Sequence, residues 1–143
     1  MVLPEHIHLE IVTPDKKLFS GEVEAVTLPA NTGYLGILPG HAPLLAELGI
    51  GEISYRIGNE TQFLFCSWGF VEVLPERVIV LAQTAESASE IDINRAEQAK
   101  SRAERILASK DSSMDFARAQ LSLMRAIARL DAAKRYQPKA SKH

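Results

Sequence analysis

Asp92, Arg95 and Arg102 in one segment, and Arg118, Arg125 and Arg129 in the next, have types and spacing that could do chemistry. If the second segment is a helix, its three arginines fall at intervals of seven and four. At 100° per residue they lie within about 40° of one another and form one cationic edge. In the first segment Asp92 and Arg95 are one turn apart, and Arg102 follows two turns later beside a stripe of alanines. Such a set binds anions: guanidinium groups take phosphate or carboxylate through charge-assisted, often bidentate, hydrogen bonds. The competing reading is structural, since Asp92 suits a helix N-cap or first-turn acid and an arginine face is ordinarily solvated surface.

No catalytic constellation accompanies these residues. His6, His8 and His41 lack the Cys, Asp or Glu spacing of a metal or acid–base site, and a lone loop histidine such as His41 is usually structural or interfacial. The Gly- and Pro-rich run from Gly33 to Leu45 lacks the G-x-x-x-x-G-K-[S/T] spacing and contains no lysine, so it is loop architecture and not a Walker A phosphate cradle. The expectation is a protein with no catalytic residues, no metal and no required cofactor.

The elements that position the arginines follow from a change of pattern near Gln83. Before it, short segments rich in Val, Ile, Phe and Tyr are punctuated by Gly and Pro; from Ile91 to Tyr136 neither Gly nor Pro occurs. The charge divides at the same place. Up to Ala85, four Lys/Arg face ten acids, net −6; from Glu86 onward twelve face eight, net +4, so the overall −2 hides a basic arm on an acidic body. That asymmetry implies an anionic partner for the arm, and nucleic acid, a nucleotide or an acidic protein loop each qualifies. The rival reading is a free-standing nucleotide- or nucleic-acid-binding module using the basic arm; the acidic body and the scarcity of stacking aromatics in the arm, where Phe116 and Tyr136 stand alone, count against nucleic acid.

The fold class expected is α+β in two parts: an antiparallel β-sandwich or flattened barrel over 1–85, then an antiparallel α-helical hairpin over 86–143. Ile7, Leu9 and Ile11 alternate with polar neighbours, as do Ile53, Tyr55 and Ile57. Gly58-Asn59 and Pro75-Glu76 supply hairpin turns, and the run Arg77-Val78-Ile79-Val80-Leu81 reads as a strand buried on both faces. Parity slips between Val23 and Val26, which predicts a bulge near Ala25. The polar stretch from Thr84 to Glu90 reads as a linker. Helices are expected over about 92–110 and 114–136, separated by Asp111-Ser112-Ser113. Ile93, Ala96, Ala99, Ala103, Ile106 and Leu107 form the first stripe, and Phe116, Leu123, Ile127 and Leu130 the second. Alanine burial contributes little, so the hairpin needs the sandwich, a ligand or a partner to hold its shape. Cys66, the single cysteine, sits in an apolar run and reads as a buried, inert thiol. No stretch approaches the ~20 apolar residues of a membrane span, so any membrane association is expected only through partners.

Several motifs in order resemble the epsilon subunit of the rotary F-type ATP synthase, called delta in mitochondria: Val12-Thr13-Pro14-Asp15, Leu35-Gly36-Ile37-Leu38-Pro39-Gly40-His41-Ala42-Pro43-Leu44, Gly69-Phe70-Val71-Glu72-Val73, and Val80-Leu81-Ala82-Gln83 leading to Ile91-Asp92-Ile93-Asn94-Arg95-Ala96. The resemblance covers nearly the whole chain. It implies a non-catalytic rotor subunit on the cytoplasmic side of the cell membrane, whose sandwich binds the gamma subunit and the c-ring. The C-terminal hairpin it implies is a switch, either folded on the sandwich or extended along gamma toward acidic loops of the beta subunits, where it brakes ATP hydrolysis. Arg118, Arg125 and Arg129 would then dock on beta.

Some bacterial members of that family bind ATP in the folded hairpin. Their pattern is matched here by Ile91, Asp92, Arg95, Ala96, Arg125 and Arg129, with Glu86 and Arg102 also aligned, so ATP is implied as a regulatory ligand. Two residues depart from the family pattern. Tyr34 stands where many relatives carry an acid, in the loop that with His41 is expected to approach the c-ring. Trp68 replaces a glycine, as either a filled core site or an altered gamma contact.

Overall fold

The computed structural model describes residues 4–109 and 115–136. Seven strands precede two helices: β1 (Ile7–Val12), β2 (Lys17–Val23), β3 (Ala25–Ala30), β4 (Gly33–Ile37), β5 (Leu44–Ile57), β6 (Glu60–Leu74), β7 (Arg77–Ser87), one 3-10 turn (Ala88–Glu90), α1 (Ile93–Ala108) and α2 (Phe116–Arg135). The expected breaker at 111–113, together with Lys110 and Met114, lies outside the described residues. Strands follow the order β2-β1-β7-β6-β5-β3-β4, antiparallel throughout except that β1 pairs parallel with β7. The two predicted turns hold: Gly58-Asn59 joins β5 to β6, and Pro75-Glu76 joins β6 to β7.

Three long central strands make one sheet into a two-layered sandwich. In the layer next to β1 and β2, core positions are Leu48 on β5, Val71 and Val73 on β6, and Val78, Val80 and Ala82 on β7. In the layer next to β3 and β4 they become Ile53, Leu64, Cys66 and Ala85. The inward-facing parity therefore reverses across Gly49, Trp68 and Gln83, as expected where strands turn a corner between packed sheets. Trp68 makes the turn on β6 with φ of +60°, and Gly69 follows with φ of +138°. A Cβ at Gly69 would fall on the Leu81 carbonyl oxygen and within 2.9 Å of the Ala82 Cα, so β7 can approach only a glycine here.

Four local expectations are corrected. The slip near Ala25 is a break and not a bulge: β2 ends at Val23, β3 begins at Ala25, and the chain leaves β1 to pair with β5. β7 is buried on one face only, because Leu81 is exposed where no helix covers its layer. The stretch from Thr84 to Glu90 is no free linker; β7 pairs through Ser87 with Leu64, and the 3-10 turn follows directly. In α2 the buried residues are Ala119, Ala126, Ala128, Leu130 and Ala132, whereas Ile127 and Phe116 are exposed. Apart from Leu130, which is buried as expected, small residues face its neighbours because two contacts on different sides must both be close.

Cys66 is fully buried, and burial pushes its thiol up to about 12, in keeping with an inert side chain. Trp68 is 38% exposed and is therefore no filled core site.

Gly69→Ala should destabilise the sandwich by on the order of 3–5 kcal/mol, combining overpacking with a strained φ. Urea unfolding checks this, and a loss below about 1 kcal/mol would mean that β7 can move aside.

Candidate functional site

Two N-caps start the helices that build the site. The Asp92 carboxylate accepts the Arg95 backbone N–H at 3.0 Å, and the Asp115 carboxylate accepts that of Arg118 at 3.0 Å. Asp92 therefore does what the structural reading assigned to it. Ile91 is buried beneath the start of α1 with Phe65, Ala88, Ala128 and Ala132, anchoring the helix and lining no groove of the site. Ala96 and Ala103 of α1 are buried, as are Ala119 and Ala126 of α2, so the hairpin closes on a seam of methyl groups.

Between the helices a groove of about 500 Å³ is lined by Arg95, Ala96, Arg102, Arg125 and Arg129, with Glu86 at the end of β7. Asp92 also lines it, so seven of the eight residues expected of an anion site meet in one cleft. Three further residues line it: Ala99, which was expected only in the apolar stripe, and Glu90 and Ser122, which were not anticipated. Ser122 was legible in principle, since it precedes Arg125 by three and Arg129 by seven on a helix. Arg118 takes a different place: it lines an adjoining groove of about 330 Å³ with Arg102, Asp115 and Ser122. The cationic edge on α2 thus spans two clefts.

The groove's electrostatics set four arginines against Glu86, Glu90 and Asp92. Arg129 Nε lies 2.6 Å from Glu86 Oε1, and its Cζ stands 4.2 Å over the Phe65 ring. A guanidinium stacked on an aromatic and paired with a carboxylate is held in plane, its outer N–H groups directed by that stack. Arg125 Nη2 donates to Ser122 Oγ at 3.5 Å. Both arginines are partly buried, so the solvated-surface reading fails for them while it describes the exposed Arg118. The fixed guanidiniums can bind a polyanion, and Glu86 already engages one of them.

Tyr34 and His41 have separate settings. Tyr34 belongs to β4 and not to a loop, because Gly33 starts the strand and Tyr34 pairs with Pro29; its hydroxyl accepts the Glu52 backbone N–H at 3.0 Å. His41 lies in the β4–β5 loop, where its Nδ1 sits 2.7 Å from the Ala42 carbonyl and the Gly40 N–H donates to Pro75. Among the described residues no group of three or more His, Cys, Asp or Glu could hold a metal ion.

A β-sandwich carrying a docked helical hairpin with an arginine-lined seam is a two-part architecture, and family comparison divides the chain at the same place. The family model "ATP synthase, Delta/Epsilon chain, beta-sandwich domain" matches residues 6–88, and "ATP synthase, Delta/Epsilon chain, long alpha-helix domain" matches residues 89–134. The chain belongs to the ATP synthase delta/epsilon family, and as a member it is a non-catalytic subunit of that complex. The ATP synthase epsilon chain of Syntrophobacter fumaroxidans is 47% identical over 93% of this chain and 99% of its own length. That of Koribacter versatilis is 52% identical over 73% of this chain and 74% of its own length. A chain of the Euglena gracilis mitochondrial ATP synthase shares the fold, with a TM-score of 0.81 at 24% identity over 94% of this chain and 84% of that one.

Asp92→Ala should cost about 1 kcal/mol through the lost cap, whereas Asp92→Asn, which keeps the acceptor, should cost a few tenths at most. Urea unfolding of both variants separates capping from charge; equal losses would assign Asp92 an electrostatic role.

Proposed function

We propose that this chain is a central-stalk rotor subunit that couples the catalytic head to the c-ring through its sandwich, and restrains ATP hydrolysis through a helical arm whose folded form binds ATP. The observation that carries the regulatory reading is the groove itself: four arginines converge between two helices joined chiefly by alanine. A triphosphate spanning that groove would bridge α1 and α2 and stabilise the folded arm by RT ln(1 + [L]/Kd). Arg125 and Arg129 are partly buried and directed into the groove in this state, so the same residues would face acidic loops of beta only when the arm opens. ATP and beta would then compete for one cationic edge, with Arg118 available to beta in either state.

The anchor reading rests on the sandwich's bare face. Phe70, Leu81 and Val12 lie in one cross-strand row, with Phe70 and Leu81 about half-exposed, and Trp68 borders the row along a cleft of about 630 Å³. Such a stripe, rimmed by Glu47 and Glu72, fits docking on gamma, and it gives Trp68 the role of an altered gamma contact. Tyr34 and His41 are assigned to the c-ring side. No helix among the described residues is long and apolar enough to cross a membrane, which fits attachment through the complex on the cytoplasmic side of the cell membrane.

Calorimetric titration with ATP and Mg²⁺ tests the ligand. Arg102→Ala and Arg125→Ala should each weaken binding roughly tenfold or more, since a charge-assisted hydrogen bond contributes about 1.5–3 kcal/mol. Arg129→Ala is less clean, because it also removes the stack on Phe65. No binding at millimolar nucleotide, or unchanged affinity in both variants, would leave the groove without its ligand.

Deleting residues 92–143 should leave rotation coupled to ion flow and raise the ATPase rate of the assembled complex. Equal rates with and without the arm, at low and high ATP, would count against regulation.

A further inference from the structure

The arm also touches the sandwich away from the groove. Glu52 on β5, Phe65 on β6 and Glu86 on β7 are directly opposed residues of one cross-strand row, on the face that α2 covers. Arg129 meets the Glu86 end of this row. Arg135, six residues on, meets the other end: its Nε lies 2.8 Å from Glu52 Oε2, and its Cζ is 5.5 Å from the centre of the Phe63 ring. Nothing in the groove involves Arg135, so this second fastening is independent of any groove ligand.

We propose that Arg135 is the counter-ion on which docking of α2 depends: with it the helix closes over the Glu52 carboxylate, and without it the covered carboxylate drives the arm off the sandwich. The inference rests on the reading that the arm has docked and released states. Its basis is geometric. The Glu52 side chain keeps only 14% of its exposure, and it lines a cleft of about 230 Å³ with Met124, Ile127, Ala128 and Asp131 of α2. Asp131, one turn before Arg135, brings a like charge to the same cleft. From β4 comes only the Tyr34 hydroxyl, engaged with the Glu52 backbone N–H, and from β6 come the rings of Phe63 and Phe65. A single cation therefore offsets one covered carboxylate and a second acid nearby. A covered charge left without its partner is the costly arrangement, whereas an ion pair replaced as a whole costs little.

The titration of Glu52 has the corresponding sign. Burial pushes its carboxyl above the usual 4.5, Arg135 opposes the shift, and Asp131 adds to it. A carboxyl whose value is raised in the docked state favours docking while protonated. That contribution is lost as pH rises from 4.5 through the docked-state value. Removing Arg135 extends this window upward, so the deficit of the variant should be large at pH 8 and small near pH 5.

Hydrogen exchange of the α2 amides in the full chain without nucleotide, each variant compared with wild type at the same pH, tests the proposal. Arg135→Ala should speed exchange on the order of tenfold at pH 8, a moderate value because Arg135 is itself half-exposed. Glu52→Gln added to Arg135→Ala should restore exchange to within about threefold of wild type, and Arg135→Lys should stay close to wild type. If Arg135→Ala exchanges like wild type at pH 8, or if Glu52→Gln fails to rescue it, Arg135 is a packing residue and the proposal is overturned. Absence of ATP binding would leave these results unchanged, so the two readings fail separately.

Discussion

Phe65 points away from the sandwich core, yet it has no exposed surface, because α2 lies on it. Burying such a ring contributes about 2 kcal/mol, and only close approach of the helix realises it. Close approach explains the alanines at 128 and 132, where larger side chains would hold α2 off the ring. It also places Arg129 above the ring and within reach of Glu86. The pair that fixes the arm to the sandwich is thus part of the groove between the helices, and docking and groove geometry cannot vary independently.

The hairpin's other contact has the same character. α1 rests on α2 through alanines, which bury little area each, and Arg95 and Arg102 project beside that seam. Weak apolar contact is thus combined with convergent cations, the arrangement on which the proposed ATP site rests. Glu52 adds a covered carboxylate needing its own counter-ion. A docked state assembled from small apolar gains and offset charges can be shifted by a ligand or partner contributing a few kcal/mol.

The sandwich treats its two outer faces differently. The layer containing Phe63 and Phe65 is sealed by the arm, and the layer containing Phe70 and Leu81 is not. The parity reversal at Gly49, Trp68 and Gln83 makes this possible, since it lets β6 present Phe63 and Phe65 outward in one layer and Phe70 outward in the other. Gly69 permits the reversal by accepting β7 against its backbone. The bare face and the arm's seat are therefore built from one set of strands.

The periodicities and turn residues of the chain determined its two-part organisation, the two hairpins β5–β6 and β6–β7, both described helices and the cationic edge on α2, because these depend on spacing along the chain. Asp92 and the Ile91–Ala96 motif were legible for the same reason, as was the buried Cys66. What only the tertiary structure decided was how faces meet. The exposure of Leu81 and Ile127 followed from which layer a helix covers, and the placement of Tyr34 on β4 followed from pairing with β3. The stack of Arg129 on Phe65 and the pair between Arg135 and Glu52 join residues 64 and 83 positions apart. No local pattern encodes such partners; they exist because α2 crosses a row of β5, β6 and β7 that the fold alone brings into line.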